Sequence, residues 1–198
     1  MVSTRFKNRG EECFGCSLAN YFDLIGENTL AEKVYGDFRK HPFFREGVWG
    51  PLTTRLVSDL TLGKYKGRLF SRDPSFFCSS YEETLRKYLG VHASAAIKVI
   101  EEEKNSGRIT LGLDEFLWEE KALLFVGNHA LLYCSKGKIV DNGEVRTVRR
   151  KDKNFYSSIT GVLRVYRAPL DFTDLNVLLE EVLHVLGNNN SPLETSNT

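Results

Sequence analysis

The chain has 198 residues, of which 41% are apolar and 27% charged, and its formal net charge is +1. That length limits it to one sizeable core or two small ones, and that charge balance excludes recruitment of nucleic acid or anionic lipid by bulk electrostatics. Four cysteines are too few for a disulfide framework in a chain this long and are expected as thiols in a reducing compartment.

The opening stretch, "MVSTRFKNRGEE", is polar and holds no apolar segment of the kind a secretory signal carries, so an intracellular, cytoplasmic protein is expected. The longest apolar run, "ALLFV" at 122–126, is far short of a membrane span, and no membrane association is expected. Leu18, Tyr21, Phe22 and Ile25 fall at i, i+3, i+4 and i+7, which predicts a helix over 15–25 with Gly26 as its stop. A second helix is predicted from Thr29 to Lys40, with Leu30, Val34, Tyr35 and Phe38 on one face and His41-Pro42 ending it. "PLTTRLVSDLTLG" reads as a third helix with Pro in its first turn. "GKYKGRLFSRDPSFFCSS" reads as irregular.

"SSYEETLRKYLG" carries a Ser cap and early Glu residues and predicts a helix. "ASAAIKVIEEEKNSG" predicts another, closed by 105–107. The pattern then changes. "RITLGL", "KALLFVG", "HALLYCSKGKIVDNG" and "GVLRVYRA" read as strands separated by turn residues, with "SKGK" as a hairpin tip. "DLNVLLEEVLHVLG" predicts a last helix, and the polar 188–198 a disordered tail. Helices first and a mainly antiparallel sheet second give an α+β fold class, with 1–187 as one domain.

Chemistry is concentrated at "EECFGCSLANYFDLIG", where Cys13 and Cys16 precede the first helix. A zinc site needs a second close pair, yet Cys78 and Cys134 are isolated and His41, His92, His129 and His184 are scattered, so no metal and no cofactor are expected. A thioredoxin-like pair needs a preceding strand, and only twelve polar residues precede Cys13. Taken alone, two cysteines at this spacing fit small core side chains. A nucleophile is the third reading. A thiol near a helix N-terminus feels the positive end of the backbone dipole, which favours thiolate, and it needs a base and a group to orient that base. "HALLYCSKGKIVDNG" supplies both: a hairpin brings His129, opening one strand, toward Asp141, ending the next. Taken singly, His129 fits an ordinary strand histidine, and Asp141-Asn142-Gly143 a simple turn.

These residues resemble the papain-like cysteine peptidases, in particular the branch of bacteriocin leader peptidases and small phage-encoded relatives. Glu12, Cys13, Leu18 and Gly26 match that branch's acidic residue, nucleophile and following helix, and His129 with Asp141 matches its histidine and orienting residue. The match covers two short windows plus the order Cys, His, Asp and the helix-then-sheet layout. The resemblance implies a papain-like α+β fold and a thiol hydrolase of peptide or other amide bonds, acting on a peptide or protein substrate. Cys13 would be the nucleophile, His129 the base, and Asp141, ahead of Asn142, the residue orienting His129.

The chain departs from the family where a Gln five or six residues before the Cys donates to the oxyanion. Lys7 and Asn8 stand there, and Asn8, with the Cys13 N–H, is the candidate donor. Phe14 replaces the Gly that often follows the family's Cys. "CFGCSLA" is similar to the cathepsin arrangement of two cysteines around a Gly, which would make Cys16 the nucleophile, but Glu12 and the spacings to Leu18 and Gly26 fit Cys13 better. An acyltransferase on the same fold differs only in what attacks the acyl-enzyme. An inactive interaction protein of viral or phage origin is the alternative of a different class. Trp49 and Trp118 are candidate cleft or core residues.

Overall fold

A computed structural model of the chain describes residues 4–8, 12–43, 50–72, 80–112, 120–127, 129–149 and 152–169. The expected last helix and tail, Trp49, Trp118, Cys78 and His184 lie outside the described residues.

Helix α1 spans Cys13–Leu24. It starts two residues before the apolar spacing predicts, which makes Cys13 its first helical residue. Phe14, Leu18, Ala19 and Phe22 form its buried side. Gly26, at φ +85°, lets the chain leave the helix, and its N–H donates to the Asp23 carbonyl while that of Glu27 donates to the Phe22 carbonyl. Helix α2 spans Asn28–Asp37 and tightens into a 3₁₀ turn at Phe38–Lys40. Helix α3, Thr53–Leu60, follows a 3₁₀ turn at Gly50–Leu52 that holds Pro51. Helices α4 (Ser80–Leu89) and α5 (Ala93–Asn105) fall where their sequences predict.

Seven strands make one sheet: β1 (Tyr65–Ser71), β2 (Ile109–Leu111), β3 (Ala122–Val126), β4 (His129–Ser135), β5 (Lys138–Asp141), β6 (Glu144–Thr147) and β7 (Ile159–Arg167), in the order β2-β1-β7-β3-β4-β5-β6. Every pair is antiparallel except β1 with β2. That parallel pair is joined through α4 and α5, the long crossover that parallel strands require. The molecule is thus a mixed α/β protein with its helices mostly N-terminal and a mainly antiparallel sheet.

Three elements differ from the sequence reading. The stretch expected to be irregular contains β1, which pairs with β7 along its whole length. Its inward positions are Tyr65, Gly67, Leu69 and Ser71, so a glycine and a serine dilute the apolar alternation. Packing is tight at Gly67: a Cβ there would sit 3.1 Å from the Thr54 Cα of α3. Strand β6 was not expected because all four of its residues are exposed and carry no core signal. Helix α6, Lys153–Ser158, is a short piece capped by Asp152, whose carboxylate accepts from the Phe155 N–H.

The sheet has two covered faces. Leu69, Leu123, Ala130, Leu132, Val140 and Leu163 pack with α1, α2, α3 and α5. Leu124, Leu131, Tyr133, Ile139 and Val162 form a smaller core with Phe155 and Tyr156 on the other side. Two consecutive hairpins follow β4. Lys136 and Gly137 turn β4 into β5, and Asn142 and Gly143 turn β5 into β6. All four have positive φ, as type I′ turns demand.

Candidate active site

The register of the two hairpins decides which side chains meet. Leu132 is opposite Val140, so the next position along puts Asp141 opposite Leu131. His129 is two residues further on the same face. Diagonal neighbours of this kind are about 7–8 Å apart at the backbone, within reach of a His and an Asp. The His129 Nε2 and the Asp141 Oδ1 are 2.6 Å apart, a hydrogen bond that ties the start of β4 to the end of β5. Asp141 has an exposure of 15% and His129 of 35%, so the carboxylate is sheltered while the ring stays reachable. With Nε2 engaged, Nδ1 is the ring nitrogen left for other chemistry.

Cys13 arrives from α1. Val126 and His129 flank the two-residue connection 127–128, so Ala130 turns its N–H and C=O away from β3, toward β5. At that level β5 has already turned at Asn142, and α1 supplies both partners instead. The Cys13 Sγ accepts from the Ala130 N–H at 3.4 Å, and the Ser17 hydroxyl, one helical turn on, donates to the Ala130 carbonyl at 3.2 Å. The Ala130 nitrogen is two covalent bonds from the His129 Cα, so a sulfur 3.4 Å from that nitrogen lies within roughly 6 Å of that Cα. Cys13 and His129 therefore share one corner of the sheet. Among the described residues, however, no hydrogen bond joins Sγ to a ring nitrogen. His129 projects on the Leu131 face, whereas α1 packs on the Ala130 face.

The two nearby cysteines differ from Cys13. Cys16 is buried at 3% exposure, and Cys13 is half-buried. Burial also pushes the Cys134 thiol up to about 11. Phe14 points into the core and stacks on Phe125, with ring centroids 6.4 Å apart.

Asn8 connects two parts of the site. Its Oδ1 accepts from the Glu12 N–H at 3.1 Å, and its Nδ2 donates to the Asn142 Oδ1 at 2.9 Å. The amide expected to face an oxyanion thus spends its oxygen and one N–H on holding α1 to the β5–β6 turn. Asn142 turns toward Asn8, and Asp141 is the residue that meets His129. Glu12 is buried, pairs through Oε1 with Arg39, and has no hydrogen-bond partner on Oε2. As the residue before the helix it gives no side-chain bond to the first-turn amides.

The sequence reading missed two residues. Ser17 escapes notice because a serine inside a helix carries no chemical signature. Arg146, on β6, places its Nη1 3.4 Å from the Asp141 Oδ2 and its Nη2 3.4 Å from the Glu144 Oε2. The Asn-Gly pair was its available signal, since a two-residue turn puts 144 and 146 on the face of Asp141.

Comparison with known proteins finds no matching family model, no matching curated protein and no matching solved structure. The site is therefore read from its own geometry. Among the described residues, no three His, Cys, Asp or Glu side chains converge in a way that would hold a metal ion, and no helix is long and apolar enough to cross a membrane.

Proposed function

We propose that the chain is a papain-like thiol hydrolase of peptide or other amide bonds. The observation that carries this reading is that a helix-opening cysteine, held by the Ala130 N–H, lies at the same sheet corner as the hydrogen-bonded His129–Asp141 pair. In the reaction, the Cys13 thiol gives its proton to His129 Nδ1 and its sulfur attacks the substrate carbonyl. The tetrahedral oxyanion is held by the Cys13 N–H, one of the first-turn amides a helix leaves without internal partners. Asn8 contributes its remaining amide hydrogen. Collapse expels the amine, which takes the proton from His129, and leaves a thioester. Water, deprotonated by His129, releases the acid and restores the thiol. Asp141, on Nε2, holds the ring in the tautomer that leaves Nδ1 as acceptor.

For this chemistry the His129 ring must bring Nδ1 to the Cys13 sulfur while Nε2 keeps its bond to Asp141. Loose catalytic contacts are common in resting sites. The hydrogen bond from Ala130 to the sulfur favours a second reading, a non-catalytic interaction protein in which the thiol serves as a structural acceptor.

Labelling with an iodoacetamide probe near pH 6 separates the two. An activated Cys13 should label far faster than a free thiol in solution, Cys13→Ala should abolish that fast phase and all hydrolysis, and Cys16→Ala should leave most of both. Cys134 should stay unlabelled, because its thiol is buried and protonated at that pH. Reaction of Cys13 no faster than the solution thiol, or a fast phase that maps to Cys16, would sink this assignment.

A further inference from the structure

We infer that Arg146 is a positioning residue for the Asp141–His129 pair, an inference that rests on the thiol-hydrolase reading and deepens it. His129, Asp141 and Arg146 lie on three adjacent strands and on one face. The β5–β6 register pairs Asp141 with Glu144 and Ile139 with Arg146, so Arg146 is the diagonal neighbour of Asp141 on one side, as His129 is on the other. Strand alternation turns Val145 and Thr147 the other way. The Asp141 Oδ1 is 2.6 Å from His129 Nε2, and its Oδ2 is 3.4 Å from Arg146 Nη1. With both oxygens engaged, the carboxylate is restrained from rotating about its terminal bond, and the lone pair aimed at Nε2 stays aimed.

The same register explains why a cation is needed there. Asp141 and Glu144 are directly opposite, and like charges so placed repel. Arg146 reaches both carboxylates, one with each terminal nitrogen. Its side chain is 58% exposed. An exposed ion pair of that length contributes little to global stability, so removing it should leave the fold in place. Any effect on turnover then reports on the site.

The test compares Arg146→Gln, Arg146→Lys and wild type. Arg146→Gln should lower kcat about tenfold with KM within about twofold, and Arg146→Lys should recover most of the loss. Thermal melting should be the same in all three. A second readout needs no substrate: the proton on His129 Nε2, followed by nuclear magnetic resonance, should exchange with water several-fold faster in Arg146→Gln than in wild type. Wild-type kcat in Arg146→Gln, a loss carried by KM alone, or unchanged proton exchange overturns the inference. If Cys13→Ala proves as active as wild type, the hydrolase reading fails by itself, and the exchange measurement still decides whether Arg146 holds the pair.

Discussion

At the scale of single residues, the site depends on two hairpins and one helix start. Asp141 is worth testing because its neighbour offers an internal control. Asp141 meets His129, whereas Asn142 meets Asn8. Asp141→Ala is expected to lower kcat/KM at least about tenfold, roughly 1.4 kcal/mol in the barrier, with the fold intact. Asn142→Gly keeps the positive φ of the turn and should cost little activity, since it removes only the bond to Asn8. The measurement is turnover of a peptide that Cys13→Ala does not cleave, and equal rates for Asp141→Ala and wild type would leave a Cys-His dyad. The His-Asp pairing was legible in the sequence because a tight turn sets register, and register sets which side chains share a face. The bond from Ala130 to the Cys13 sulfur was not legible. It depends on where β5 stops relative to α1, and no local pattern encodes that.

At the scale of elements, the helices were readable from apolar spacing and the sheet only in part. Strand β1 was hidden by Gly67, which lets α3 come close at the price of a core side chain. Gly15 is the parallel case in α1. A Cβ there would come 2.4 Å from the Phe38 ring, which is fully buried after α2 and has no room to retreat. Replacing a helical glycine with alanine ordinarily stabilises by roughly 0.5–1 kcal/mol. Overpacking a close helix contact costs about 1–3 kcal/mol, and a 2.4 Å approach puts Gly15 at the costly end. Gly15→Ala is therefore expected to be net destabilising by about 2–2.5 kcal/mol in chemical denaturation. It should also impair the site, because α1 presents Cys13 two residues earlier. A stabilised Gly15→Ala would mean that Phe38 gives way and that α1 and α2 are not closely interlocked.

At the scale of the whole molecule, residues 4–8 form a strap that joins three regions, and Asn20 is its anchor. Asn20 is buried at 4% exposure. Its Oδ1 accepts from the Arg5 and Phe6 N–H groups at 3.2 and 3.1 Å, and its Nδ2 donates to the Phe6 carbonyl at 2.8 Å. Further along, the Tyr35 hydroxyl donates to the Lys7 carbonyl, the Thr4 hydroxyl donates to the Gly143 carbonyl, and Asn8 reaches Asn142. One segment thus links α1, α2 and the turn that ends the Asp141 strand. Asn20→Ala leaves two outcomes. If the strap stays, its backbone groups are buried without partners, at about 1–3 kcal/mol for each group. If it peels away, Phe6 leaves its buried place beside Tyr35, where the ring centroids are 4.9 Å apart, and loses roughly 1.5–3 kcal/mol of burial. The cheaper outcome sets the loss, so denaturation should show a destabilisation of about 2–3 kcal/mol, with faster proteolysis before Cys13 if the strap peels. Turnover should fall as well if the strap peels, because Asn8 then carries its amide away from the proposed oxyanion position. A change within about 0.5 kcal/mol, the range of ordinary surface substitutions, would show that the strap carries neither stability nor site geometry.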